Sequence, residues 1–163
     1  MNEKATLFDL IDRILTRNLG WVAAADAKIA PILAISTAML GALAALIPHS
    51  NSWTIPSAIL TAFATRLLLG AIVCLVAASF PRLKGPRGSL VYFGGIAAYA
   101  PDAYVSELLK GITDDLLKDY ALQCHRNAEI ARSKYANLRW AMILLYSSVS
   151  PFVIDVFLLY QLR

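Results

Sequence analysis

The residues able to do chemistry are few, and they gather in no catalytic pattern. His125 and Glu129 lie one helical turn apart and could share a metal. Two ligands fall short of a site, however, and that spacing more often marks a solvated helix pair. His49 stands far from both, and Cys74 and Cys124 show neither disulfide nor zinc spacing. Gly85 and Gly88 flank a turn and Gly94-Gly95 stands by itself, so no phosphate-binding glycine fingerprint is present. The chain reads as no enzyme, with no catalytic residue, no metal and no cofactor. What remains are ionisable side chains in apolar company: Asp26 and Lys28 at the edge of one apolar run, Arg66 and Asp155 inside two others. Such groups are costly in lipid and often functional.

The elements that must hold these residues are helices, and three of them cross a membrane. Of 163 residues, 58% are apolar and only 16% charged, with a mean hydropathy of +0.59. A soluble domain carries nearer a quarter charged residues. The charges also cluster, in residues 3–28 and 82–139. The run 29–47 has no charged residue for 19 positions, enough to cross a hydrocarbon core of about 30 Å. A signal peptide is excluded by a long leader carrying Glu3, Asp9, Asp12 and Asp26 and by the lack of a small-residue cleavage site. A polar turn at 48–56 with an interfacial Trp53 leads to a second span, 57–80, interrupted only by Arg66 and ended by Pro81. A third span covers 140–162. Residues 81–139 hold nine Lys/Arg against six acids and the turn at 48–56 holds none, which places the N-terminus and 81–139 in the cytosol and the C-terminus outside. The expected fold is an all-α membrane protein with a helical cytosolic segment, 81–139, between the second and third spans.

Within the cytosolic parts, residues 4–19 form an amphipathic helix with Leu7, Phe8, Leu10, Ile11, Ile14, Leu15 and Leu19 on its apolar stripe. Its polar face mixes acids with bases, which favours packing on the protein's own cytosolic segment over lying on the membrane. The whole of 1–28 therefore leads into the first span. Pro101 opens a short helix, Gly111 and Thr113 break it, and Thr113 caps a new one before Asp114 and Asp115. From Leu117 through Ala121, Cys124, Ala128, Ala131, Tyr135, Leu138, Met142 and Leu145 the apolar or small positions recur in steps of four and three. That rhythm predicts one helix over 114–160, about 70 Å long, running from cytosol into membrane.

Helical rise puts Arg66 and Asp155 at a matched depth, about 21–23 Å from the cytosolic face. They are expected to pair, within one chain or between neighbours, with snorkelling of Arg66 as the rival account. Asp26 and Lys28 fix the mouth of the first span. Small residues at four-residue spacing, Thr37, Gly41, Ala45 and Gly70, Cys74, Ala78, let helices approach closely, inside the hairpin or in a homo-oligomer.

Three local patterns then align. They are Asn18 with Ala25-Asp26-Ala27-Lys28 before the first span, Ser89-Leu90-Val91-Tyr92-Phe93-Gly94 with Ile96-Ala97 after the second, and Lys134-Tyr135 with Arg139 before the third. In this order around these spans, over nearly the whole chain, they resemble the transmembrane effectors of Pycsar antiphage defence, the PycTM proteins. The resemblance implies a bacterial inner-membrane effector. A partner cyclase would make cyclic CMP or cyclic UMP on infection, and the effector would sense it and disrupt the membrane, an abortive infection.

A cyclic nucleotide offers one phosphate charge, a ribose hydroxyl and a flat base, so its site needs a cation and a stacking ring. The residues placed to supply them are Arg82, Arg87, Lys134 and Arg139 for the phosphate and Tyr92, Phe93, Tyr104 and Tyr135 for the base. Each aromatic has an alternative as core and each base as a solvated or lipid-facing charge. No β-roll domain is present, so the site must be built from helices, within or between subunits. The modest net charge of +4 falls beside apolar segments and answers to lipid headgroups rather than to a nucleic-acid polymer. The other class of function is a non-enzymatic membrane scaffold or subunit that binds a protein partner through its cytosolic helices.

Overall fold

The computed structural model describes residues 3–48, 53–83, 85–86 and 88–162. Among them the chain forms helices only: α1 (Glu3–Leu46), α2 (Ile55–Ser79), the single turn α3 (Phe93–Ile96), α4 (Pro101–Leu108) and α5 (Asp114–Gln161). Three of these, α1, α2 and α5, are long and apolar enough to cross a membrane, and the chain is an all-α membrane protein. Contacts divide it into a first unit, Met1–Ala24 with Pro81–Ser133, and a second unit, Ala25–Phe80 with Lys134–Arg163.

The caps follow from sequence. Thr54 opens α2 with a reciprocal box: Ser57 N–H donates to Thr54 Oγ1 at 3.4 Å and Thr54 N–H to Ser57 Oγ at 3.2 Å. Phe80 and Pro81 end it. Gly111, at φ +76°, closes the stretch after α4, and Thr113 Oγ1 accepts from Leu116 N–H at 3.2 Å to open α5. The amphipathic stretch 4–19 and the first span belong to one helix. Between them only Gly20 weakens helix formation, by about 1 kcal/mol, and the Ala-rich 21–28 that follows carries the helix on.

The second unit is a three-helix packing. Leu43 of α1, Ala64, Leu68 and Ala71 of α2, and Leu145 and Leu159 of α5 form one buried cluster. Ile29, Leu75, Ala78, Leu138 and Ala141 form another. In lipid such contacts gain from close van der Waals fit rather than from water release. Gly70 is part of that fit, since a Cβ there would meet Leu144 Cδ1 at 3.2 Å. Gly41 on α1 looks into open space instead.

The buried seam of α5 differs from the expected one at three of its nine positions, Met142 being partly buried against the core. Leu117, Cys124, Ala131, Leu138 and Leu145 are buried as expected, but Ala121 and Ala128 are exposed and Tyr135 is 36% exposed. Their places are taken by Gln123, Lys134, Ala141 and Ser148. Three of these four are polar, and hydropathy alone assigns such residues to the outside.

The Arg66–Asp155 pair does not form within the chain. Asp155 lies on the inward stripe of α5 with Pro151 and Leu159 and is fully buried, whereas Arg66 is exposed on α2. The inward face of α2 is set by Ala64, Leu68, Ala71, Leu75 and Ala78. Arg66, two residues from Ala64 and two from Leu68, points away from it. The Thr61 hydroxyl of α2, itself buried, is the polar neighbour of the Asp155 carboxyl, near enough to interact with it but outside close hydrogen-bond geometry.

Candidate ligand cleft

In the first unit, α1 packs on α5 by one edge of its apolar stripe. Leu15 and Asn18 are buried, Phe8 meets Tyr120 edge-on at 4.9 Å between centroids, and Asn18 Nδ2 donates to the Cys124 carbonyl at 2.8 Å. Leu7, Leu10, Ile14 and Leu19, from the same stripe, stay substantially exposed. Cys124 donates its thiol to the Ile11 carbonyl at 3.4 Å. Burial, then the nearby Asp12 carboxylate, pushes its pKa up, so the thiol stays protonated and unreactive at neutral pH. Burial also raises the phenol of Tyr120, with Asp12, Asp119 and Tyr104 adding to the effect.

The 81–92 loop is tied to α5 through Ser89. Its hydroxyl donates to Asp119 Oδ2 at 2.9 Å and accepts from the N–H groups of Val91 and Tyr92 and from Gln123 Nε2. Asp119 Oδ2 also accepts from Leu90 N–H at 2.8 Å. Gly88, at φ +68°, makes the turn into this motif. Tyr104 donates its hydroxyl to the Leu90 carbonyl and Tyr99 donates to that of Gly88. Tyr104 therefore fastens the loop.

The loop, α1 and α5 enclose a cleft of about 390 Å³ lined by Leu15, Leu19, Arg82, Gly85, Val91, Tyr92, Phe93, Gln123, Arg126, Asn127 and Ile130. That size falls within the roughly 300–1,000 Å³ of ligand pockets. Arg82 is half-buried, donating Nη1 to the Ile130 carbonyl at 3.2 Å and Nη2 to Ser133 Oγ. Among the described residues no carboxylate pairs with it. Tyr92 and Phe93 stack at a tilt with centroids 4.6 Å apart, and the Phe93 ring is 63% exposed. Arg126 is bound to Glu129 at 3.1 Å, which gives Glu129 a partner other than the metal considered for it with His125. Asn127 Nδ2 donates to the Gln123 carbonyl at 2.9 Å.

Of the residues expected to hold a nucleotide, the structure gathers Arg82, Tyr92 and Phe93 here. Arg87 lies outside the described residues, as does His49. Lys134 belongs to the second unit, where its buried ammonium bridges Asp26 Oδ1 at 2.5 Å and the Ala78 carbonyl at 2.9 Å. It joins α1, α2 and α5 there and is not open to a ligand. Tyr135 and Arg139 line a separate groove of the second unit with Lys28, whose ammonium stands 5.8 Å from the Tyr135 ring centroid. Sequence reasoning missed Gln123, Arg126 and Asn127. Their signal was present: with Ile130 they recur at i, i+3, i+4 and i+7, one face of α5.

No curated protein and no solved structure matches the chain. Residues 10–161 match the family model PycTM, the Pycsar effector protein domain. That match covers nearly the whole chain, and the protein belongs to the PycTM family of Pycsar effectors.

Proposed function

We propose that the protein is an inner-membrane effector that binds cyclic CMP or cyclic UMP, made by a partner cyclase, in the cleft of its first unit. Binding leads it to impair membrane integrity and so abort infection. The observation that carries this reading is Arg82, a half-buried guanidinium without a carboxylate partner among the described residues, beside the exposed ring of Phe93. A guanidinium matches a phosphate in charge and geometry, and an open ring accepts a base. The amides of Gln123 and Asn127 add donors and acceptors able to read a pyrimidine edge.

The output follows from α5, one helix from the cleft residues Gln123, Arg126 and Asn127 onward into the apolar span. A ligand that prefers one position of this helix shifts the helix population and repacks the second unit. The basic excess of 81–139 supports a cytoplasmic N-terminus and a periplasmic C-terminus. The open face of α1 at Thr37, Gly41 and Ala45 supports a homo-oligomer.

Calorimetry of the purified full chain with each cyclic pyrimidine nucleotide tests the reading. We expect saturable heat with one of them, and an affinity lowered about tenfold or more by Arg82→Lys, which keeps charge but loses the planar fork. No heat with either nucleotide from well-folded protein overturns it and leaves a scaffold that presents its helices to a protein partner.

A further inference from the structure

The groove that takes Tyr135 and Arg139 out of the nucleotide cleft has a chemistry of its own. It measures about 480 Å³ and is lined by Lys28, Tyr135, Leu138, Arg139, Met142, Ile143 and Tyr146, all in the second unit. Two features identify its occupant. The first is charge: among the described residues Lys28 and Arg139 form no ion pair with a carboxylate, and Lys28 stands over the face of Tyr135. The second is position. Lys28 is the last charged residue before the uncharged run 29–47, and Arg139 is the last before the uncharged run 140–154. The groove therefore straddles the border between the charged and apolar parts of α1 and α5. Beside Arg139, Trp140 is 59% exposed and Tyr146 is 66% exposed, the aromatic types that settle at headgroup level.

We propose that this groove is a binding site for an anionic phospholipid. The headgroup phosphate sits at Lys28 and Arg139, and an acyl chain runs along Leu138, Met142 and Ile143. A nucleotide phosphate has the same charge chemistry, but the lining offers no amide to read a base and its floor is hydrocarbon. Each basic side chain near an anionic surface adds to the attraction, and the apolar floor adds contact that a free headgroup cannot use.

Native mass spectrometry of the full chain in mild detergent tests this. With phosphatidylglycerol and phosphatidylcholine supplied equally, we expect phosphatidylglycerol to be retained on the order of tenfold more. Lys28→Gln/Arg139→Gln should abolish that preference, and Lys28→Arg/Arg139→Lys should keep it. Soluble glycerol phosphate should not be retained. Equal retention of the two lipids, or a preference that survives the double Gln variant, overturns the proposal. So does retention of glycerol phosphate as firm as that of the lipid. If the double Gln variant melts like the parent but loses cyclic nucleotide binding, the groove is a nucleotide site instead. Loss of nucleotide binding on Arg82→Lys alone bears on the cleft and leaves the lipid site standing.

Discussion

Tyr92 is held in place by what its neighbours lack. A Cβ on Gly85 would come within 2.4 Å of its Cδ1, and one on Gly94 within 2.6 Å of its Cε1. Its hydroxyl donates to the Leu83 carbonyl. The ring is thus clamped between two bare backbones, and Phe93 is presented beside it. Adding a methyl at either glycine forces the ring to move, an overpacking that costs about 1–3 kcal/mol. Gly85→Ala and Gly94→Ala should each lower the denaturation midpoint and weaken nucleotide binding by calorimetry. Tyr92→Phe should lose only the hydroxyl bond and bind almost as the parent does. If Gly85→Ala leaves both midpoint and binding unchanged, the clamp does not set the cleft. The sequence marked Tyr92 and Phe93 as rings near a base, and Gly85 as part of a turn. That the turn folds back onto the ring is a through-space contact with no sequence spacing to announce it.

At the scale of elements, the long helix was legible because its apolar rhythm runs without a break from Leu117 to Leu145. The face it turns inward was only partly legible. Gln123, Lys134 and Ser148 are buried because each finds a polar partner: the Ser89 hydroxyl, Asp26 with the Ala78 carbonyl, and the Leu145 carbonyl respectively. A polar residue is buried when it is satisfied, and the satisfying groups lie on other elements or on the backbone. Lys134 shows what such a position contributes. Its ammonium is about one-tenth exposed while Asp26 is half exposed, with side-chain values of 9% and 47%. Removing the acid strands a buried cation with one carbonyl, whereas removing the cation leaves a carboxylate that water can reach. Asp26→Asn should therefore destabilise the second unit by about 1–2 kcal/mol, less than a fully buried pair would cost. Lys134→Met, which fills the same space with apolar atoms, should stay within about 1 kcal/mol of the parent. Thermal melts of the two variants in one detergent check the order. The reverse order would make Lys134, rather than the pair, the stabilising element.

For the molecule as a whole, Asp155 is the residue with the least reason to be where it is unless the resting packing is one of two states. Its carboxyl is fully buried, with only the Thr61 hydroxyl as a recorded polar neighbour among the described residues, in a unit whose helices are long and apolar enough to cross a membrane. An acidic residue inside a membrane helix is costly, by about 2.5–3.5 kcal/mol at the bilayer centre and less towards either face. Within the chain Arg66 does not relieve that cost, because it points out of the bundle, and in this packing Asp155 offers a neighbouring copy no exposed surface. Charge reversal at both positions should accordingly fail to restore what either single change removes. A buried cost of this size is released if α5 repacks and the carboxyl meets water, so the same residue that weakens the closed bundle favours an opened one. Asp155→Leu should then raise the thermal midpoint of the purified protein and, in liposomes loaded with a small fluorescent dye, suppress the release that the proposed function expects a cyclic pyrimidine nucleotide to trigger in the parent. Asp155→Glu should retain release. An Asp155→Leu protein that is more stable and leaks as fast as the parent would reduce Asp155 to a packing defect, and the membrane output would have to be sought on another face of α5.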